Sequence, residues 1–281
     1  MKSAQFLKDM YSKFGIRAPK LHCVLGSGLS DALNDIDFSQ TWEECGEISF
    51  TEIPAFTATT APGHPGKYKL YKHKSGEILS LQLGRLHGYE GLEASEVVKS
   101  VTQIYDAGTK VFLLTNAAGS LNPDFKPGSV MLIEDHVNFT GRNPLVGENK
   151  GSVGQRFPDL SSLYNKELGT ILEKSLSNDF SVHRGTYIGV LGPSFETPAE
   201  VKLFEKWGMG AVGMSTVWEA IALKHRGAQV CGLSFMSNYG CGLIDSNPLS
   251  HEDVLEQGRV SALSLVKGIL SFAERTFENG I

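Results

Sequence analysis

The sequence has few cysteines, and their spacing excludes the common cysteine-based sites. Among 281 residues there are four, Cys23, Cys45, Cys231 and Cys241, and none belongs to a C-x-x-C pair. A chain of this length buries enough surface to fold without disulfides. No H-E-x-x-H motif and no group of His and Cys with zinc-ligand spacing occurs. The sequence therefore predicts four reduced thiols and no metal ion.

Long apolar runs and an excess of positive charge are also missing. Lys8 and Asp9 interrupt the N-terminal apolar residues, and no apolar run approaches the ~18 residues of a membrane span. The 26 basic and 31 acidic residues give a net charge of −5, which argues against a nucleic acid partner. We therefore expect a cytoplasmic protein that binds neither membrane nor nucleic acid.

One segment, residues 67–74, alternates lysine with tyrosine and leucine. Proteins that bind single-stranded nucleic acid interleave basic and aromatic residues in this way. A half-buried strand at the edge of a sheet shows the same alternation. We favour the edge strand.

Apolar, β-branched runs alternate with segments of helical periodicity, and this order predicts an α/β fold. The predicted strands are residues 21–25, 78–83, 111–114, 130–133, 187–190 and 230–235. The predicted helices are residues 4–14, 94–107, 162–176, 198–207, 217–225 and 251–278. No linker or repeat divides the chain, so the sequence predicts a single domain over residues 1–281, with a long loop at 143–156.

Three of the predicted helices begin with capping sequences. Thr197-Pro198-Ala199-Glu200 and Thr216-Val217-Trp218-Glu219 match the capping box, in which the threonine and glutamate side chains bond to each other's backbone N–H groups. Ser250 with Asp253 is the same arrangement with aspartate. We therefore predict that Glu219 caps its own helix.

Small and polar residues follow several of the predicted strands. Gly26-Ser27-Gly28 lies at a predicted helix start, where backbone N–H groups can face an anion. Arg85 and His87 follow strand 78–83, and in an extended chain their spacing of two places both on one face, where each can donate to one oxyanion. Asn116-Ala117-Ala118-Gly119 leaves the backbone open to a ligand at a strand's carboxyl end. Plain turns and a solvated strand end explain the same three segments.

A second pair of segments, residues 192–198 and 213–216, each ends a strand and precedes a capped helix. Glu196 stands just before the N-cap, where the helix dipole favours the ionised carboxylate. Other templates fail, because the chain has no G-x-S-x-G elbow, no dinucleotide fingerprint and no P-loop.

In their order along the chain, these segments resemble the trimeric purine nucleoside phosphorylases, which cleave ribonucleosides or deoxyribonucleosides with inorganic phosphate. The resemblance covers nearly the whole chain. The segments that carry it are Leu25-Gly26-Ser27-Gly28-Leu29, Pro62-Gly63-His64, Gly84-Arg85-Leu86-His87-Gly88-Tyr89-Glu90-Gly91, Asn116-Ala117-Ala118-Gly119, Arg156-Phe157-Pro158, Gly192-Pro193-Ser194-Phe195-Glu196-Thr197, Val212-Gly213-Met214-Ser215-Thr216 and Leu249-Ser250-His251-Glu252. It implies a central mixed β-sheet flanked by helices, a homotrimer, phosphate as co-substrate, and no metal or organic cofactor.

The resemblance also implies a role for individual residues. Phosphate would be bound by Ser27, His64, Arg85, His87, Ala117 and Ser215. The nucleoside would be bound by Tyr89, Tyr187, Phe195, Glu196, Met214, Asn238 and His251, with Phe157 reaching the site of the neighbouring subunit. The catalytic residues would be Asn238, Glu196 and His87.

These roles predict specificity for 6-oxopurines. Asn238 would donate to N7 of the departing base, and Glu196 would accept from N1–H, which hypoxanthine and guanine carry and adenine lacks. Inosine, guanosine and their 2′-deoxy forms are the expected substrates. Two alternatives stay open: a methylthioadenosine phosphorylase, which places Asp where Asn238 stands, and a non-catalytic purine-binding sensor. Trp218, where relatives typically carry proline, and Tyr239 depart from the family pattern near the base pocket.

Overall fold

The computed structural model describes residues 2–26, 28–38, 40–61, 63–149, 153–244 and 251–281, with only the backbone for residues 251–260. The strands are β1 (Leu21–Leu25), β2 (Trp42–Ser49), β3 (Lys67–His73), β4 (Ile78–Leu83), β5 (Val111–Ser120), β6 (Val130–Asn138), β7 (Val182–Gly189), β8 (Ala211–Gly213) and β9 (Gln229–Tyr239). The α-helices are α1 (Lys2–Lys13), α2 (Ala94–Val97), α3 (Lys99–Asp106), α4 (Lys166–Leu176), α5 (Pro198–Lys206), α6 (Val217–His225) and α7 (His251–Glu278).

The strands form one mixed sheet in the order β2-β3-β4-β1-β5-β8-β7-β6-β9. An additional pairing joins β5 to β9, so the five strands from β5 to β9 close into a ring. Pairs such as β1–β4 and β5–β9 are parallel, whereas β3–β4 and β6–β9 are antiparallel. The expected α/β fold with a central mixed sheet is confirmed.

Helices cover both faces of the sheet, and the side chains of β1 pack against the helices on each face. Because successive side chains of a strand point to opposite faces, Leu21, Cys23 and Leu25 join one core cluster with residues of α4 and α7. Val24 points the other way and joins the cluster that includes residues of α1, α3 and α6. All four cysteines are free thiols, as predicted.

The predicted boundaries hold for β1, β4, α6 and α7. Strands β5 and β9 run several residues further than predicted, through small and polar residues that the periodicity treated as turns. Predicted helix 94–107 is two helices, α2 and α3, that meet at Val98. Strands β2 and β8 were not predicted. The described residues of 143–156 form the expected loop, and no helix of the described chain is long and apolar enough to cross a membrane.

Segment 67–74 is a strand, but it does not lie at the edge of the sheet. Strand β2 pairs outside β3 and takes the edge position. Its register shifts between Glu44 and Gly46, so Cys45 is an extra residue in a β-bulge. A Cβ at Gly46 would lie 2.7 Å from the ring of Phe14, so only glycine lets this ring pack on the strand.

Of the predicted capping boxes, the one at Thr197 is confirmed and the one at Thr216 is wrong. The Thr197 hydroxyl accepts from the Glu200 N–H, and Glu200 accepts from the Thr197 N–H at 2.7 Å. Thr216 has φ +72° and makes no side-chain cap, so Glu219 is not part of a box. Ser250 lies outside the described residues.

Candidate active site

A cavity of about 130 Å³ lies where several strands end. It brings together most of the predicted site residues, namely His64, Arg85, His87, Tyr89, Ala117, Phe195, Glu196, Met214, Ser215 and Asn238. Because β1, β4, β5 and β9 form a run of parallel pairs, their carboxyl ends meet at the same edge, where α/β proteins bind ligands.

Two glycines allow the backbone to converge at this edge. Gly84 has φ +82°, and a Cβ there would lie 2.6 Å from the backbone of His64. The chain therefore does not stay extended from β4 through Arg85, as the spacing argument assumed, yet Arg85 and His87 both line the cavity. A Cβ at Gly26 would lie 3.0 Å from the Cα of Asn116. The turn at Gly26 leads to a 3-10 helix, Asp31–Asp35, instead of the α-helix expected there.

Arg85 is the centre of the cationic end of the cavity, which we call the phosphate end and which comprises His64, Arg85, His87 and Ser215. The Arg85 side chain is 2% exposed, and its Nη1 donates to Ser215 Oγ at 3.0 Å. The Arg85 backbone N–H donates to Nδ1 of His64 at 3.0 Å. In the neutral His64 ring the hydrogen therefore sits on Nε2. Arg85 thus connects two predicted phosphate ligands to one backbone segment.

Glu90 orients His87, a link that the sequence analysis missed. Glu90 Oε1 lies 3.2 Å from His87 Nδ1, and Oε2 accepts from the backbone and hydroxyl of Thr60 at 2.8 and 2.6 Å. Burial opposes ionisation of Glu90, but hydrogen bonds from His87 and Thr60 outweigh it and lower its pKa to about 2. An ionised carboxylate only accepts, so His87 Nδ1 is the donor. Burial lowers the pKa of His87, and the neutral ring presents Nε2 as an acceptor. The His-x-x-Glu spacing was the available signal.

Ser215 is held by a strained neighbour. Thr216 adopts φ +72°, a conformation that costs a β-branched residue energy and that clusters at functional sites. Asn116 Nδ2 donates to Thr216 Oγ1 at 2.9 Å, and this hydroxyl lies 3.1 Å from Ser215 Oγ. The buried Asn116 amide therefore connects β5 to the turn that places Ser215.

Three further residues of the cavity lining, Phe195, Glu196 and Asn238, have no hydrogen bond to the phosphate end among the described residues, and we call them the base end. Phe195 is 38% exposed. Burial raises the pKa of Glu196, with a contribution from the Glu200 charge. Burial therefore opposes the ionised form that the helix dipole was expected to favour. Asn238 Oδ1 accepts from the Ser237 hydroxyl at 2.7 Å, and its Nδ2 donates to Tyr239 O at 2.8 Å. The second Nδ2 hydrogen is left for a ligand.

Two predicted nucleoside ligands that the structure describes, Tyr187 and Phe157, are not among the residues that line the cavity. Tyr187 is fully buried, and its hydroxyl accepts from the Ser215 N–H at 3.5 Å. Its predicted contact with the base stays a prediction. Phe157 is 86% exposed on the surface. Ser27 and the side chain of His251 lie outside the described residues.

The two departures from the family pattern have structural positions of their own. Trp218 is buried, its Nε1 donates to Thr140 Oγ1 at 2.9 Å, and a Cβ on Gly88 would meet its ring at 2.5 Å. It therefore packs behind the Arg85–Glu90 segment and away from the base end. The Tyr239 hydroxyl donates to Pro123 O at 3.4 Å. In the described part of the chain, no cluster of His, Cys, Asp and Glu is arranged to hold a metal ion.

Comparison with known proteins agrees with this geometry. The family model described as the phosphorylase superfamily matches residues 28–271. Purine nucleoside phosphorylase 1 of Bacillus subtilis is 38% identical over 274 residues, 96% of this chain and 97% of that protein. The chain belongs to the phosphorylase superfamily, among its purine nucleoside phosphorylases. The enzyme class expected from the motifs, a pentosyltransferase, is thereby confirmed.

Two further purine nucleoside phosphorylases are similar to this chain. The purine nucleoside phosphorylase of Bos taurus is 37% identical over 254 residues, 88% of this chain and 86% of the relative. The crystal structure of the Schistosoma mansoni purine nucleoside phosphorylase in complex with adenosine superposes with a TM-score of 0.80 at 30% identity, over 96% of this chain and 95% of the other. The likeness therefore covers both ends of the cavity.

Proposed function

We propose that the chain catalyses the reversible phosphorolysis of inosine, guanosine and their 2′-deoxy forms, releasing the purine base and (deoxy)ribose 1-phosphate. One observation carries this proposal. The same cavity has a cationic, donor-rich end at Arg85 and Ser215 and a carboxylate beside a carboxamide, Glu196 and Asn238, at the other end. A dianionic nucleophile needs the first end, and a 6-oxopurine needs the second.

At the phosphate end, we propose that Arg85, Ser215, His64 and the backbone at Ala117 donate to the phosphate oxygens, with Ser27 as a further ligand by family resemblance. Nε2 of the neutral His87 ring accepts a hydrogen bond from the phosphate O–H, because the ring hydrogen is on Nδ1, where it donates to Glu90. The nucleophile is thereby held on one side of the sugar. Orientation of this kind supplies much of the rate enhancement in a bimolecular displacement.

At the base end, Asn238 donates to N7 as the glycosidic bond breaks and negative charge collects on the purine. A donor aimed at developing charge lowers the barrier because it binds the transition state better than the ground state. Ionised Glu196 accepts from N1–H. Adenine presents an acceptor at N1, so it would leave this carboxylate unpaired or force it to take up a proton.

Between the two ends, the ribose is proposed to contact Met214 and Tyr89, with His251 at the 5′-hydroxyl. Phe157 is proposed to complete the site of a neighbouring subunit in a homotrimer, and its 86% exposure leaves it accessible to another chain. One domain spans residues 1–281, works in the cytoplasm, and uses phosphate as co-substrate without a metal or organic cofactor.

Two other functions remain as outcomes of the test. A methylthioadenosine phosphorylase is opposed by Asn238, since an Asp would be needed to meet both N7 and N6 of adenine. The relative with adenosine in its crystal structure makes adenosine a necessary comparison. A non-catalytic purine sensor is opposed by the complete set of donors around Arg85.

The test is release of hypoxanthine from inosine by the purified protein, with and without inorganic phosphate, and with adenosine and methylthioadenosine in parallel. We expect phosphate-dependent cleavage of inosine and little cleavage of adenosine. Cleavage without phosphate would identify a hydrolase. Preference for methylthioadenosine would overturn the assignment of the base end, and purine binding without cleavage of any substrate would identify the sensor.

A further inference from the structure

Glu219 is a buried carboxylate to which the family resemblance assigns no role. It lies in the first turn of α6, where residues 217–223 are all buried. Its side chain is 2% exposed. Burying a carboxylate is costly unless the charge is paired and hydrogen-bonded. Glu219 therefore needs a partner that this apolar helix does not supply.

The partner is Arg85, across the interface between α6 and the segment that follows β4. Arg85 Nε lies 3.5 Å from Glu219 Oε1, and neither Glu219 oxygen accepts a hydrogen bond from the described residues. The contact is thus one-sided and long, unlike the bidentate pairs that stabilise proteins. Replacement of a buried ion pair by apolar side chains often costs no stability. A contribution to folding stability therefore does not explain why Arg85 and Glu219 are paired.

The Arg85 guanidinium has three nitrogens in three different surroundings. Nε faces Glu219, Nη1 donates to Ser215 Oγ, and Nη2 has no hydrogen-bond partner in the described part of the chain. Arg85 also lines the cavity. Nη2 is thus a buried donor without a partner among the described residues, on a side chain that lines the cavity. Its direction depends on what holds the other two nitrogens.

The conformation of Thr216 makes this arrangement possible. In a capping box, Glu219 would accept from the backbone of the N-cap residue. Thr216 instead has φ +72°, and Asn116 Nδ2 donates to its hydroxyl. The Glu219 carboxylate therefore does not bond to the backbone at the start of α6, and it faces Arg85 instead.

We propose that Glu219 is a positioning residue for phosphate binding: its carboxylate orients the Arg85 guanidinium so that Nη1 stays at Ser215 and Nη2 faces the phosphate. The proposal rests on the phosphate-dependent function proposed above. Glu219 acts through Arg85 and does not touch the substrate.

Positioning and plain charge predict opposite effects on phosphate affinity. A negative charge behind Arg85 repels a phosphate dianion, so by charge alone its removal would tighten phosphate binding. If the carboxylate positions Arg85, its removal weakens phosphate binding. The sign of the change in Kd therefore separates the two explanations.

The experiment is calorimetric titration of inorganic phosphate into the wild-type protein and into Glu219→Gln. The matched control is Glu173→Gln, which removes a carboxylate 2.6 Å from Arg184 in an exposed ion pair. We expect the phosphate Kd to rise about tenfold in Glu219→Gln, as for loss of a residue that orients a binding group from behind it, and to stay unchanged in Glu173→Gln. An unchanged or lower Kd in Glu219→Gln overturns the proposal.

Steady-state kinetics provide a second readout that a merely structural role would not produce. In Glu219→Gln the KM for phosphate should rise with the Kd, whereas the KM for inosine at saturating phosphate should stay unchanged. Equal increases in both KM values would mean general loosening of the site and would overturn the proposal.

Two further points keep the test decisive. If Glu219→Gln does not fold, Glu219→Asp keeps the negative charge but moves the carboxylate away from Arg85 by one methylene. The phosphate Kd should then rise several-fold, and a Kd equal to that of the wild type would contradict the proposal. Because phosphate titration requires no turnover, wild-type protein that binds phosphate but cleaves no nucleoside would refute the proposed function while leaving the role of Glu219 testable.

Discussion

The two ends of the cavity are built differently. At the phosphate end, Arg85 and His87 are 2% and 7% exposed, and each has a carboxylate behind it, Glu219 and Glu90. At the base end, Phe195 is 38% exposed, and no cation of the described residues acts on the pKa of Glu196. One end is braced by a second layer of charged residues, whereas the other is held mainly by its own backbone and by Ser237.

This difference matches what each end has to bind. Phosphate has one shape and charge, so a rigid set of donors suits it, because donors that are already oriented lose less entropy on binding. The purine differs among substrates at its substituents. A less enclosed end with one titratable carboxylate allows discrimination by hydrogen-bond pattern. Variants at the two ends should therefore affect different kinetic constants.

The largest effect is expected at Arg85. In Arg85→Met the phosphate end loses its charged donor and leaves Glu219 unpaired, and loss of one partner of a buried charge pair costs about 2–5 kcal/mol. We expect kcat/KM for phosphate to fall by roughly 30- to 5,000-fold on that basis. Hypoxanthine affinity, measured by calorimetry, should be nearly unchanged. A parallel loss of hypoxanthine affinity would show that the two ends are not independent.

A smaller effect is expected at Asn238. Asn238→Ala removes the donor to N7, and loss of one such donor typically lowers kcat by about 10²-fold. Steady-state rates with inosine should show this fall while the KM for phosphate stays close to the wild-type value. Asn238→Asp replaces the donor by an acceptor and should raise the ratio of adenosine to inosine cleavage. A dominant effect of either variant on phosphate KM would contradict the division between the ends.

The pH dependence should also separate the ends. Burial raises the pKa of Glu196 above its usual 4.5, so as pH falls this carboxylate takes up a proton earlier than an ordinary glutamate and loses its role as acceptor from N1–H. Glu90, with a pKa of about 2, stays ionised. At saturating phosphate, the KM for inosine should rise as pH falls, and the rise should begin at a higher pH than the titration of an ordinary glutamate would give. Glu196→Gln should remove this dependence, and a flat profile in the wild type would be contrary to expectation.

The smallest effect is expected at Trp218, which lies behind the cavity and belongs to neither end. Trp218→Phe keeps the ring packed on Gly88 but removes the hydrogen bond to Thr140, which is worth about 1 kcal/mol. The melting temperature should fall by roughly 2–4 °C, with both KM values unchanged. Thr140→Val is the matched partner variant, and the two losses should not add. A change in substrate preference would instead place Trp218 in the base pocket.

Arg85 and His87 of the phosphate end could be predicted from local sequence, whereas His64 and Ser215 were assigned only by the family resemblance. Arg85 and His87 are two residues apart at a strand end, and the small residues from Asn116 onward mark open backbone. The sequence did not reveal which carboxylate contacts each of the predicted phosphate ligands. Glu90 is three residues from His87, but Glu219 meets Arg85 across the fold.

The errors have specific physical causes. Thr216 and Glu219 match a capping box, and only the left-handed backbone at Thr216 shows that the match fails. A single charge in the apolar run from Val217 to Leu223 was the signal that Glu219 is buried. Tyr187 was assigned to the base only by the family resemblance; in the structure it is buried, with its hydroxyl close to Gly213, and its contact with the base stays a prediction. Strand β2 was not predicted because its three glutamates and the bulge at Cys45 interrupt the alternation of apolar and polar residues.

Closure of β5 to β9 into a ring leaves β2 as the one strand with a single partner among the described strands. An unpaired strand edge can add a strand from another molecule and so start aggregation. Here the edge carries Glu43, Glu44 and Glu47, and the bulge at Cys45 interrupts its regular spacing. The charges that conceal β2 in the sequence thus protect the folded molecule from polymerising through its own sheet.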